Sequence, residues 1–158
     1  MDNSVHIIYR NYKNPLNIKI LINLRNFCKK KGVKLYLSNN FKLALKLRLD
    51  GVYLPSFNKS TRYNCFKFKK NFDVIGSAHN VTELNTKIRQ RVKSIFIAPV
   101  FKKKINKLGI YGFLKLRNLT DKKLIVLGGV TEEKVNMISF LNADGFAAIN
   151  YFQKKRPL

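Results

Sequence analysis

The chain has 158 residues, 46% of them hydrophobic and 12% aromatic, which is apolar material enough for one domain with its own core, expected to span residues 1–158. Its 32 Lys and Arg against 8 Asp and Glu give a formal net charge of +24, a field that attracts polyanions, although an accompanying surplus of Asn, Ile and Phe is also what AT-rich coding produces on any solvated surface. No apolar run approaches the roughly 18 to 20 residues of a membrane span, Met1-Asp2-Asn3-Ser4 has neither the basic nor the apolar part of a secretion signal, and a cytoplasmic location is expected.

The first apolar run, Val5-His6-Ile7-Ile8-Tyr9, reads as a strand with Arg10 at its end. Residues 16–30 have helical spacing, with Leu16, Ile20, Leu24 and Phe27 expected on one face and Cys28 within the helix. Residues 33–37 and 51–54 read as the second and third strands. Residues 62–70 alternate aromatic and basic side chains; they read as an amphipathic edge strand or a short linker, and are the nearest thing in the chain to a nucleic-acid motif. Residues 73–77 form the fourth strand, followed by a helix opening at Asn80 with Glu83 three residues on, a capping box in form. The fifth and sixth strands are residues 94–98 and 124–127. The helix after them, over residues 131–141, carries Glu132 and Glu133 in its first turn, where the helix dipole favours them, and Val135, Ile138 and Leu141 on one face. Residues 145–149 make the seventh strand, and the basic tail from Gln153 is expected to fray.

Runs so uniformly apolar read as strands covered on both faces, the mark of a parallel sheet. Alternation of strand and helix with right-handed crossovers leads either to an open doubly wound sheet or to a (β/α)8 barrel. Seven strands in this length are short for a barrel, which takes about 250 residues and rarely fewer than about 200. Cys28 and Cys65 form no Cys-x-x-Cys pair and have no histidine spaced to share a metal, so neither a disulfide nor a zinc site is expected.

Five segments, in order, resemble one family. Leu35-Tyr36-Leu37-Ser38-Asn39-Asn40-Phe41-Lys42-Leu43-Ala44-Leu45 followed by Asp50-Gly51-Val52-Tyr53-Leu54, then Ile75-Gly76-Ser77-Ala78-His79-Asn80 with Glu83-Leu84, then Ile97-Ala98-Pro99-Val100-Phe101, Val126-Leu127-Gly128-Gly129-Val130 and Ala143-Asp144-Gly145-Phe146-Ala147-Ala148-Ile149 are similar to strand-end motifs of the thiamine-phosphate synthase and thiazole tautomerase superfamily. The resemblance implies an α/β fold of the (β/α)8 TIM-barrel type shortened to about seven parallel strands, with the first βα unit and the last helix missing. It implies a phosphorylated small-molecule ligand, and it leaves open a homodimer that completes the barrel.

On the same grounds a thiazole phosphate is expected between the Gly128-Gly129 loop and the amides of Ile149 and Asn150. Glycines let backbone amides close on a phosphate, and the ligand of a parallel βα fold sits at the C-terminal strand ends. Ser77, Asn39, Arg10 and Lys104 are the further phosphate-binding candidates by their place in the family pattern. His79, directly before a helix start, is expected to be a hydrogen-bonding partner rather than a catalytic group, and His6 to be structural. The family reaction joins a pyrimidine methyl carbon to the thiazole nitrogen and releases diphosphate, with Mg²⁺ held on two carboxylates. Here Asn40 and Asn58 stand at those positions, and Ile8 and Tyr12 replace the glutamine and lysine that flank the arginine. The expectation is therefore a thiamine-phosphate-synthase-like protein, using Mg²⁺ if it turns over at all, whose synthase chemistry is weakened. A non-catalytic phospholigand-binding paralogue and a basic RNA-associated protein are the alternatives.

Overall fold

Seven strands form one sheet in the order of the chain: β1 (Ile7–Tyr9), β2 (Leu35–Ser38), β3 (Gly51–Leu54), β4 (Asp73–Ala78), β5 (Ser94–Ile97), β6 (Lys123–Leu127) and β7 (Gly145–Ala147). Every neighbouring pair is parallel. This is a computed structural model, and it describes residues 5–12, 15–101 and 108–154. The monotonic order excludes the doubly wound alternative, in which the order must reverse at a switch point. Right-handed crossovers that step always the same way put every helix on one face and curl the sheet into part of a barrel. The intervening helices are α1 (Ile18–Lys30), α2 (Phe41–Lys46), α3 (Val81–Arg89), α4 (Gly109–Arg117) and α5 (Glu132–Phe140), with a short α6 (Asn150–Lys154) after β7.

Period-two alternation divides the sheet into two faces. Leu35, Leu37, Val52, Leu54, Ile95, Ile97, Leu124 and Val126 face the helices and make the main core. Tyr36, Tyr53, Ile75 and Phe96 face the lumen and make a second, smaller cluster with Ile8, Ile125, Leu127 and Ala147. Both faces are thus covered, one by helices and the other by the sheet's own inward side chains.

Two Asp-Gly pairs set the register at the N-terminal end of the sheet. The Asp50 carboxylate accepts the backbone N–H of Leu35 at 2.9 Å, and the Asp144 carboxylate accepts that of Leu124 at 2.8 Å. Each aspartate thereby holds the first residues of the preceding strand before the following glycine starts its own. Gly51 cannot be replaced without movement, because a Cβ there would stand 1.9 Å from the Asp73 carbonyl oxygen. Asp73 closes the same end with Lys93 at 2.9 Å, Lys34 at 3.1 Å and the Tyr36 hydroxyl at 3.3 Å. Burial tends to raise its carboxyl, but the two lysines outweigh this and leave it below the ordinary aspartate range.

One expectation is corrected. The buried face of α1 is Leu21 and Cys28, with Leu24 beside them, whereas Ile20 and Phe27 are about half exposed. The helix starts at Ile18, where the Asn17 side chain caps the Ile20 N–H, and packing against the sheet selects the face that carries Leu21 and Cys28. Of the two readings of residues 62–70 the linker holds and the edge strand does not: Arg62–Cys65 is a 3-10 turn and the rest an irregular connection. Of the last helix only a short piece is described, in keeping with its expected loss: Phe146 meets Tyr151 edge to face at 5.2 Å and stacks with Phe152 at 6.0 Å, which seats α6 on β7. The face of α5 is as expected, with Ile138 and Leu141 buried and Val135 packed against the core.

Candidate phosphate-binding rim

Because the strands are all parallel, their C-terminal ends form one rim. Arg10 follows β1, Asn39 follows β2, Ser77 is the penultimate residue of β4, Pro99 lies just beyond β5, Gly128 and Gly129 follow β6, and Ile149 and Asn150 follow β7. The structure therefore brings these sequence-expected residues to one end of the sheet. Lys104 lies outside the described residues.

The lumen side of the rim is lined with hydroxyls. Ser38 and Ser77 stand two residues beyond Tyr36 and Ile75 on the same face, and both are nearly buried. Tyr12 reaches across from the end of β1 to place its hydroxyl 2.5 Å from Ser38 Oγ. The Arg10 guanidinium lies 4.9 Å from the centre of the Tyr12 ring, a cation–π arrangement, and Phe57 meets that ring edge to face at 5.9 Å. The Tyr53 phenol is held up by burial, with its hydrogen bond to Ser77 and the Arg10 charge pulling the other way. One exposed cation over a layer of neutral donors is chemistry suited to holding an oxyanion.

Gly128 and Gly129 both have left-handed backbones, with φ of 94° and 78°. A Cβ at Gly128 would come within 3.1 Å of Pro99 Cα, so a side chain is excluded by contact as well as by conformation. The loop is fastened to the end of β5: Leu127 O accepts from Val100 N–H at 3.1 Å, and Gly128 O from Phe101 N–H at 2.9 Å. Leu127 pairs with Ala147, so the glycine loop and the Ala148 to Asn150 segment leave the sheet side by side. Ile149 is 73% exposed.

His79 takes the bonding role expected of it. Its Nδ1 lies 2.5 Å from Ala98 O, joining β4 to the end of β5. Its backbone N–H donates to Glu83 at 2.7 Å, while the Asn80 side chain caps the Glu83 N–H at 2.9 Å. The acid thus reaches one residue further back than in a strict capping box. His6 is exposed and edge to face with Tyr36 at 6.2 Å.

Neither Asn40 nor Asn58 is arranged to hold a cation. The Asn40 side-chain oxygen caps α2 by accepting from Leu43 N–H at 3.0 Å. The Asn58 oxygen accepts from Ser60 N–H at 2.9 Å and Gln90 Nε2 at 3.2 Å, and its nitrogen donates to Asn39 at 2.6 Å. Both oxygens face donors, neither carries charge, and among the described residues no cluster of three His, Cys, Asp or Glu side chains gathers to bind a metal.

Lys87 and Gln90 are buried polar residues beneath the rim that the sequence pattern does not single out. Both are fully buried. Lys87 Nζ donates to Pro55 O at 2.8 Å, Asn58 O at 2.9 Å and Gln90 Oε1 at 2.8 Å, and Gln90 Nε2 donates to Ser60 O at 2.8 Å. Three protons of an ammonium meet three acceptors, and the connection after β3 is pinned from beneath. Burial pushes Lys87 down to about 8, opposed by the charge of Glu83. The signal available in the sequence was a lysine three residues after Leu84, on the helix face that must be apolar.

A family model described as thiamine monophosphate synthase matches residues 4–152. The chain belongs to that family. It is 29% identical over 140 residues to a putative thiamine-phosphate synthase 2 of Aquifex aeolicus, an alignment covering 85% of this chain and 74% of that one. It is 30% identical over 122 residues to the thiamine-phosphate synthase of Koribacter versatilis, covering 74% of this chain and 58% of that one, so it spans little more than half of that relative. Among solved structures, the thiamine phosphate pyrophosphorylase of Pyrococcus furiosus superposes with a TM-score of 0.74 at 17% identity, over 88% of this chain and 70% of that one. That of Bacteroides thetaiotaomicron gives 0.63 at 16% identity, over 96% and 73%. These two likenesses establish the shared fold, while the family model establishes membership. No helix among the described residues is long and apolar enough to cross a membrane.

Proposed function

We propose that this member of the thiamine monophosphate synthase family binds a phosphorylated heterocycle, thiazole phosphate, at the rim between β6 and β7, and that its turnover by the synthase reaction is absent or very slow. The observation that carries the reading is the pair of left-handed glycines after β6, lying beside the segment that leaves β7. Amide donors there need no particular side chain, so the phosphate cradle is insensitive to the substitutions that removed the carboxylates. Ser77 and Arg10 add a hydroxyl and a guanidinium for a second anionic group, such as the diphosphate of a pyrimidine substrate. Departure of that diphosphate develops charge that the family neutralises with a cation on two carboxylates, and the amides of Asn40 and Asn58 do not fit one.

Calorimetric titration with thiazole phosphate and with inorganic phosphate tests this, comparing the parent with Gly129→Asn and Gly129→Asp. Asn and Asp both tolerate a left-handed backbone and have nearly the same shape, so the difference between the variants isolates the charge. Phosphate affinity should fall at least about tenfold further in Gly129→Asp than in Gly129→Asn. Equal affinity in the two variants refutes the site.

A further inference from the structure

The chemistry at the rim leaves unexplained a groove of about 500 Å³ beside it, formed by α2 and the connection between β3 and β4. Its base is a ladder of rings. Tyr63 stacks on Phe41 at 4.6 Å, Phe41 stacks on Phe68 at 5.7 Å, and Phe68 is followed by Phe66 at 6.5 Å. The inner rungs belong to the helix-side core, whereas Phe66 at the open end is 66% exposed. Arg62, Lys67 and Lys69 line the same groove and are exposed. No Asp or Glu occurs between Pro55 and Phe72, and none of these three cations takes part in the ion pairs formed among the described residues.

We propose that this groove docks single-stranded nucleic acid, with Phe66 as the platform on which a base stacks and Arg62, Lys67 and Lys69 as its phosphate contacts. The exposed Phe66 ring continues the ladder through Phe68 and offers an apolar surface on which a base can stack. The cations stand on the same segment as the ring, which matches the alternation of base and phosphate along a strand. Duplexes hide their base faces within their own stack and present nothing for Phe66 to meet. A charge excess due to coding bias alone would surround the protein with lysines, but it would give no reason for an exposed ring to stand among them. The net charge of +24 supplies the long-range attraction, and the groove supplies the place.

The experiment uses the full chain and fluorescence anisotropy of a short labelled oligouridylate, with heparin as a polyanion that has charge and no bases. Phe66→Ala should weaken oligouridylate binding about tenfold and leave heparin binding unchanged. The double variant Lys67→Gln, Lys69→Gln should weaken both and reduce the slope of log affinity against log salt by about 1.4. The chain has no tryptophan, so Phe66→Trp provides a single reporter whose emission should be quenched by oligouridylate and not by heparin. Oligouridylate affinity unchanged in Phe66→Ala, equal losses of oligouridylate and heparin in that variant, or Phe66-dependent binding to anionic vesicles without binding to oligouridylate would each overturn the proposal.

Discussion

Asn58 donates its amide N–H to Oδ1 of Asn39 at 2.6 Å, and this bond ties the connection after β3 to the end of β2. At Asn58 the resemblance implied a charged metal ligand, and the amide found there is part of the rim's internal bonding. Product formation from pyrimidine diphosphate and thiazole phosphate should therefore be absent or very slow in the parent chain and insensitive to Mg²⁺. In the double variant Asn40→Asp, Asn58→Asp, a gain that requires Mg²⁺ identifies a synthase whose carboxylates were lost. Brisk Mg²⁺-dependent turnover by the parent shows instead that other residues hold the ion.

Lys87→Met keeps the length of the side chain and removes its three hydrogen bonds. The carbonyls of Pro55 and Asn58 then lose a buried donor, offset in part by relief of the lysine's own desolvation, and the expected net cost is about 2 to 4 kcal/mol by urea unfolding. The pH dependence has a definite sign. Lys87 in the folded chain titrates near 8, against 10.5 for an ordinary lysine. Between those values the unfolded chain holds a proton that the folded chain has released, so the stability of the parent relative to Lys87→Met should rise with pH across that window. The Cε resonance of Lys87, followed by carbon NMR, should show its midpoint near 8; a midpoint with the other lysines would contradict the burial argument.

Asp73 acts in the opposite pH range. Its folded carboxyl titrates below the ordinary 3.8, so its contribution is fully present above that value and is lost as pH falls through the lowered folded value. Asp73→Asn should flatten the acid limb of a stability-against-pH curve and leave the neutral region lower. A variant whose acid limb is as steep as the parent's would show that the two lysines do not hold this carboxylate.

Gly51→Ala places a methyl group against the backbone of β4, where the nearest atom, the Asp73 carbonyl oxygen, cannot rotate away. Overpacking against a flexible side chain costs about 1 to 3 kcal/mol, and a backbone clash at a paired strand should exceed the upper figure. Thermal unfolding should show either a large drop in Tm or no folded protein; a drop of only a degree or two would mean that β3 and β4 slide easily.

The strands were legible because each is a short apolar run ended by a turn signal, and the rim was legible because family motifs mark the strand ends. What escaped were features that depend on where two segments meet. The face of α1 was misjudged because Ile20 and Phe27 are as apolar as Leu21 and Cys28, and only packing against the sheet distinguishes them. Lys87 is one lysine among many in this chain, and its acceptors include the carbonyls of Pro55 and Asn58, which no side-chain pattern reveals. Residues 62–70 left strand and linker both open, and the linker prevails because neither β3 nor β4 has a free edge for them to pair with, since each already has two neighbours.

The consecutive strand order has a consequence for how the molecule comes apart. Each strand pairs only with its neighbours in sequence, so adding a unit to the sheet requires closing one short βα connection and no distant one. Such a sheet behaves as a linear array in which cooperativity passes from unit to unit, as it does in repeat proteins. The lumen side chains of the middle strands, Tyr53 and Ile75, are buried from both flanks, while Ile8 and Ala147 near the ends are only half covered. Opening should therefore begin at β1 or β7 and reach β4 last, a gradient that native-state hydrogen exchange would record as amides slowing from both ends of the chain toward its centre.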